Sequence, residues 1–256
     1  VQTAGKLAAA LRVLGFTVTE HVGGFGVVGV LRNGAGPTVM VRTELDALPV
    51  REQTGLPYAS TVTARNEAGE TVPVMHACGH DIHTTCLLGA AAALADDDGW
   101  QGRLLLVFQP DEEGGGGAQA MVDDGLFERF GAPDVVLGQH VAPVPVGVLG
   151  VRSGPAFAAS DSLRITLHGA GGHGSRPEAT VDPVVMGASL VQRLQTVVSR
   201  DVAATDTVVV TVGSFHAGVA PNVIPDNAVL GLSIRTTEER VRASVLAAVE
   251  RMVQIG

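Results

Sequence analysis

Between Arg103 and Pro110 the chain carries an unbroken apolar run, Leu104-Leu105-Leu106-Val107-Phe108. A strand that shows no polar alternation buries both of its faces, so it belongs inside a sheet with helices packed on either side. The surrounding sequence supplies those layers. Ala4 to Leu14 has apolar residues at helical spacing and stops at Gly15, and His80 to Ala95 reads as a buried helix. A glycine run, Gly114 to Gly117, leads into a short helix near Ala118 to Asp123. Short β-branched runs at Val27 to Leu31 and Thr38 to Val41 read as strands, with Asn33-Gly34 between them as a hairpin signal. Val135 to Leu137 reads as a third buried strand, closed by His140, whereas Arg51 to Thr71 is mostly polar loop. Strands alternating with helices predict an α/β sheet, and such sheets place ligands beyond the carboxyl ends of their strands.

The pattern changes near Ser160. Leu163, Ile165 and Leu167 alternate with polar residues, the mark of a half-exposed strand. Val181 to Val198 is an amphipathic helix with Pro183 in its first turn; Thr207 to Val212 and Ala228 to Ile234 read as strands, and Thr237 to Val253 as a second helix. Strand, helix, strand, strand, helix predicts a separate, smaller α+β domain of ferredoxin-like type. The boundary is expected in the Ser153-Gly154-Pro155 loop, giving domains 1–157 and 158–256. A length of 256 residues accommodates both. Because aromatics make up only 4% against 46% apolar residues, Val, Leu and Ala must fill the two cores.

A net charge of −9 without a basic patch argues against a nucleic-acid partner. The apolar run Cys86 to Leu94 is too short to span a bilayer and ends at Asp96-Asp97-Asp98, so it predicts a core helix and no membrane partner. Cys78 and Cys86 flank helical sequence, which predicts two free thiols and a cytoplasmic setting. No signal peptide is read. The chain begins at Val1 inside helical sequence, so further native residues are expected before it.

Chemistry concentrates in the segment Met75-His76-Ala77-Cys78-Gly79-His80-Asp81-Ile82-His83, which holds a thiol, three imidazoles and a carboxylate. Thiolate and imidazole suit zinc, manganese or cobalt, and a catalytic metal needs several such ligands converging on one point. Glu112-Glu113 follows the apolar strand and precedes four glycines, and His140 ends the next strand. Taken singly, each has a plainer explanation: a buried cysteine with a capping histidine, a solvated glutamate pair, a structural histidine. Taken together, they fall where a ligand is expected: Glu112 and Glu113 after one strand, His140 after another, and Cys78 and His80 entering a helix. One carboxylate of the pair can bind metal while its neighbour takes a proton from a water acidified by the metal.

Five segments then appear in order: Arg42-Thr43-Glu44-Leu45-Asp46-Ala47-Leu48-Pro49, Met75 to Asp81, Phe108-Gln109-Pro110-Asp111-Glu112-Glu113-Gly114-Gly115-Gly116, Gly172-His173-Gly174 and Asn222-Val223-Ile224-Pro225-Asp226. Through them the chain resembles the metal-dependent amidohydrolases of the aminoacylase and carboxypeptidase metallopeptidase superfamily. The matching subgroup contains hippurate hydrolases, N-acyl-amino-acid hydrolases and auxin–amino acid conjugate hydrolases. The resemblance implies a catalytic domain with a mixed sheet flanked by helices, a smaller lid domain that forms a homodimer, and two divalent metal ions. It implies Cys78, His80, Glu113 and His140 as ligands and Glu112 as general base. Asp46 and Asp81 would support the ligands from behind, Asp81 alternatively capping its helix. His173 would polarise the scissile carbonyl in the partner's site, and Asn222 and Arg235 would hold the substrate carboxylate. For Arg235 a solvated strand-end charge is the plainer alternative, and His76 and His83 read as structural or solvated.

Two departures stand out. Glu44 occupies a position where the family usually has aspartate, a change expected to shift the Asp46 loop slightly. No histidine follows His216, although the family carries a further ligand histidine in a returning C-terminal segment. The expectation is therefore a fragment of a longer enzyme that hydrolyses N-acyl amino acids. The alternatives are a dipeptidase or N-carbamoyl-amino-acid hydrolase, or a truncated, non-catalytic dimerising module with a structural metal.

Overall fold

The apolar run becomes the middle strand of a five-stranded sheet in the computed structural model, which describes residues 2–66 and 68–255. The chain divides into two units, Val1–Pro145 and Val146–Gly256. The first contains, in order, α1 (Gln2–Val13), β1 (Thr17–Val22), β2 (Gly26–Asn33), β3 (Thr38–Glu44), β4 (Thr63–Arg65), β5 (Thr71–Pro73), α2 (His80–Ala95), β6 (Gly102–Gln109), α3 (Gly117–Asp123), α4 (Leu126–Phe130) and β7 (Val135–Gly138). Its sheet runs β1-β2-β6-β3-β7, and β4 with β5 forms a separate two-stranded ribbon. Strand β6 is antiparallel to β2 and parallel to β3, which is in turn parallel to β7.

The two-sided burial of β6 follows from the period of two along a strand. Leu106 and Phe108 join Leu7, Leu11 and Leu87 of α1 and α2 on one face. Leu105 and Val107 join Met121 and Leu126 of α3 and α4 on the other. Each such side chain contributes about 1.5–3 kcal/mol through burial.

Two expectations are corrected. Asn33-Gly34 does not close a hairpin between β2 and β3, because β6 lies between them. A strand apolar on both faces gains most at the sheet centre, and it displaces the local pairing. The 34–37 segment instead braces the entry to β6, where the Arg103 N–H donates to Pro37 O at 2.9 Å. The hairpin joins β1, a strand not foreseen, to β2 through Gly23 and Gly24, at φ +60° and +97°. Second, β7 is not buried: Val135, Val136 and Leu137 are 47, 60 and 52% exposed at the sheet edge. A short apolar run shows only that a strand tolerates burial, and among the described residues β7 has a neighbour on one side alone.

In the second unit β8 (Ala159–His168), β9 (Gly172–His173), α5 (Pro183–Thr196), β10 (Val208–Ala217), β11 (Val223–Ile224), β12 (Asn227–Thr236) and α6 (Glu239–Ile255) follow the expected strand, helix, strand, strand, helix order around a small β9–β11 ribbon. The antiparallel sheet runs β10-β12-β8. Leu230, Leu232 and Ile234 of β12 meet Leu190 and Leu194 of α5 and Val241 and Val245 of α6 in one core. Asp182 caps α5, its carboxylate accepting from the Val184 N–H at 2.8 Å, with Pro183 next in the first turn. Arg242 clamps α6 to β8 through a forked pair with Asp161 at 2.6 and 2.8 Å. The neighbouring carboxylates push its guanidinium above the usual range.

Both cysteines are free thiols, and no helix among the described residues is long and apolar enough to cross a membrane.

Candidate metal and catalytic site

Strands β3, β6 and β7 are mutually parallel, so their carboxyl ends share one edge of the sheet. The residues that follow them, Asp46, Glu112 with Glu113, and His140, are delivered to that edge, where α2 begins at His80. Gly79 makes the approach possible. It holds a left-handed φ of +85°, and a Cβ there would run into the Val141 side chain. It also leaves α2 without a side-chain cap. The Asp81 carboxylate makes no hydrogen bond among the described residues; its carbonyl accepts from the Thr84 and Thr85 hydroxyls.

His80 is 1% exposed. Its Nδ1 lies 3.1 Å from Asp46 O, and a carbonyl can only accept, so Nδ1 carries the proton and Nε2 presents a bare lone pair. That Nε2 is buried without a hydrogen-bond partner, and Glu112 Oε2 stands 3.8 Å from it. His140 repeats the arrangement: Nδ1 donates to Val141 O at 2.7 Å, and the bare Nε2 lies 3.4 Å from Cys78 Sγ. Asp46 accepts the Glu113 N–H on Oδ2 at 3.0 Å, which anchors the glutamate loop. Its Oδ1 is 3.3 Å from His80 Nδ1, but that proton is aimed at the carbonyl, so Oδ1 stays unsatisfied.

Donor atoms of Cys78, His80 and His140 all lie within 4.8 Å of one another, and so do those of His80, Glu112 and Glu113. Two correctly protonated imidazoles, a thiol and two carboxylates with a bare buried nitrogen at their centre fit a divalent cation. The adjoining cavity of about 1550 Å³ reaches Asp46, Cys78 and His140, and among the described residues no lysine or arginine lines it. Burial and the charges of Glu113, Glu112 and Glu44 push the Cys78 thiol above its usual pKa, so a cation would relieve an accumulation of negative charge.

Two further residues join this group: His83, which the sequence reads as structural or solvated, and Glu44, which it marks only as a departure from the family pattern. His83 is fully buried, with Nδ1 3.0 Å from Glu44 Oε2, while its Nε2 accepts the Val141 N–H at 2.9 Å. Burial holds its imidazole below the usual pKa, against the pull of Glu44. Glu44 is 3% exposed and paired with Arg42, whose Nε donates to Gln109 Oε1 at 2.9 Å. The available signal was spacing, since a residue three positions after His80 shares its helix face. His76 lines the cavity with a buried Nδ1 that has no partner.

In the second unit the ribbon sets His173 opposite Val223, and the Gly174 N–H donates to Asn222 O at 2.8 Å, so His173 and Asn222 are neighbours. His173 is exposed, and its Nδ1 lies 2.8 Å from Ser175 Oγ and 3.2 Å from the Ser175 backbone nitrogen. Arg235 lies near the far end of β12, eight residues along the strand from Asn227, about 27 Å, whereas the β9–β11 ribbon that carries His173 precedes Asn227.

Residues 40–253 match the model of peptidase family M20/M25/M40. Hippurate hydrolase of Campylobacter jejuni is 44% identical over 242 residues, covering 94% of this chain and 60% of its own. N-acetyl-L-cysteine deacetylase of Bacillus subtilis is 40% identical over 212 residues, covering 82% of this chain and 48% of its own. The crystal structure of a dinuclear metal binding peptidase of the M20 family from Bacillus subtilis superposes with a TM-score of 0.77 at 29% identity, covering 99% of this chain and 63% of that one. The chain thus spans about three fifths or less of these relatives.

Proposed function

The chain belongs to peptidase family M20/M25/M40, and from that premise we propose that the protein hydrolyses the amide bond of N-acyl amino acids in a metal-dependent reaction. The observation that carries this reading is the bare, buried Nε2 of His80, among Cys78, His140 and the Glu112-Glu113 pair. The names of the relatives, a hippurate hydrolase and an N-acetyl-cysteine deacetylase, point to the same bond.

In this reading Cys78, His80, Glu113 and His140 hold two divalent ions, zinc, manganese or cobalt. The ions would supply Lewis acidity and make a water easier to deprotonate. Glu112, 3.8 Å from His80 Nε2, takes the proton from the attacking water and returns it to the leaving amine. Asp46 keeps the His80 proton on Nδ1 by way of its carbonyl and fixes the glutamate loop by way of Oδ2. His173 offers its Nε2–H to the scissile carbonyl oxygen, where negative charge grows in the transition state. Asn222, beside it, and Arg235, contributed by the other copy, bind the substrate carboxylate. We place the metal-binding part in residues 1–157 and the lid in 158–256. His173 acts on the site of a second copy, which makes the working form a cytoplasmic homodimer.

The test is a panel of N-acetyl, benzoyl, indole-acetyl and succinyl amino acids, with dipeptides and N-carbamoyl amino acids alongside. The protein is first stripped by chelation, then given zinc, manganese or cobalt. Turnover of N-acyl amino acids that returns only with metal is expected. Turnover confined to dipeptides or N-carbamoyl amino acids, or indifferent to metal, contradicts the reading.

A further inference from the structure

The Val141 peptide is gripped from two sides. Its N–H donates to His83 Nε2 at 2.9 Å, and its C=O accepts the His140 Nδ1 proton at 2.7 Å. The two bonds hold a segment otherwise open to solvent: His140 is exposed and Val141 is 40% exposed, just past the edge strand β7, with the Val141 side chain against Gly79. The grip therefore originates in the buried interior, at the far side of His83. There His83 Nδ1 meets Glu44 Oε2, and Glu44 is itself fixed by Arg42, which is fixed by Gln109 of β6.

We propose that Glu44 and His83 are positioning residues that set the Val141 peptide and, through it, aim His140 Nε2 at the metal-binding cluster. The inference rests on the metal reading above; Glu44 and His83, which with His80 form a further group of donor atoms within 4.8 Å of one another, are assigned to positioning rather than to ligation. Its logic is one of donors and acceptors. A backbone N–H can only donate, so His83 must keep Nε2 bare and carry its proton on Nδ1. Glu44 enforces that tautomer by offering a carboxylate to the Nδ1 proton. With the other tautomer, two N–H groups would face each other across 2.9 Å, and the Val141 segment would have to move. His140 would then lose the orientation that puts its Nε2 at 3.4 Å from Cys78 Sγ. The Arg42 guanidinium makes the device affordable in the interior, since a carboxylate 3% exposed needs a matched cation. The same network ties the ends of β3 and β6, the first turn of α2 and the segment after β7, the four places that deliver the cluster.

Two readouts test it. In the metal-free protein, long-range proton–nitrogen NMR correlations are expected to place the His83 proton on Nδ1; a proton on Nε2 overturns the proposal. Cobalt titration, followed by thiolate charge-transfer absorption, then compares His83→Leu with His83→Gln, whose amide oxygen can accept the Val141 N–H. His83→Leu is expected to bind cobalt about 10–100-fold more weakly with altered ligand-field bands, and His83→Gln to recover most of that loss. If His83→Leu loses its far-UV circular dichroism, Glu44→Leu and Glu44→Gln repeat the comparison from the other end, with the loss expected in Glu44→Leu alone. A folded leucine variant that keeps the wild-type affinity and spectrum overturns the proposal while leaving the metal reading intact. Absence of the charge-transfer band in the wild-type protein overturns the metal reading and this inference together.

Discussion

His80 and Cys78 make different demands on the same few ångströms, and single substitutions separate them. His80 offers a buried nitrogen with no protein partner, whereas Cys78 supplies the softest donor, at 3.4 Å from His140 Nε2. Cys78→Ser is expected to abolish thiolate charge-transfer absorption with cobalt and to weaken zinc binding, read by competition with a chelating dye. Gly79 between them is constrained by conformation. Gly79→Ala must place a side chain at φ +85° and against Val141, at a cost of at least about 1–2 kcal/mol, measurable by urea denaturation. At this scale the sequence was informative where residue type alone signals chemistry: Cys78, His80, the glutamate pair and His140. It marked Glu44 only as a departure that would shift the Asp46 loop and read His83 as structural or solvated, because their contacts join residues 39 and 58 positions apart in the chain. Such contacts exist only after folding.

Among elements, β6 bears the largest share of the first core, and its pattern made it the most readable. Phe108 is fully buried against α1 and α2; Phe108→Ala is expected to cost about 3–5 kcal/mol, seen as a lower urea midpoint at an unchanged slope. Helix α5 depends on its cap, and Asp182→Ala is expected to cost about 1 kcal/mol by the same measurement, without altering metal binding. Helix α2 was legible to its bounds because a long apolar segment bordered by Gly79 and Asp96 admits few alternatives. Strand pairing was less legible. Asn33-Gly34 has the chemistry of a hairpin turn, yet β2 and β3 are separated because β6 outcompetes the local partner. Edge or centre is likewise a property of the whole sheet, which is why β7 reads as buried from its three apolar residues and stands exposed.

For the whole molecule, the division of labour between two cores makes a prediction of its own. The metal-type donors all belong to the first unit, Val1–Pro145. A saturating cation at 100 times its Kd adds about 2.7 kcal/mol to the state that binds it. Hydrogen exchange should therefore show greater added protection at β6 amides such as Leu106 than at β12 amides such as Leu232. The fold class was legible at this scale because alternation of strands and helices, then a change of period near Ser160, survives errors in individual boundaries. The central claim is catalysis by Glu112 beside bound metal, and its most direct measurement is hydrolysis by Glu112→Gln with metal content determined on the same sample. The account predicts a fall in kcat of about 100-fold or more with the two metal equivalents retained. An unchanged rate in a variant that still holds both metals would contradict it.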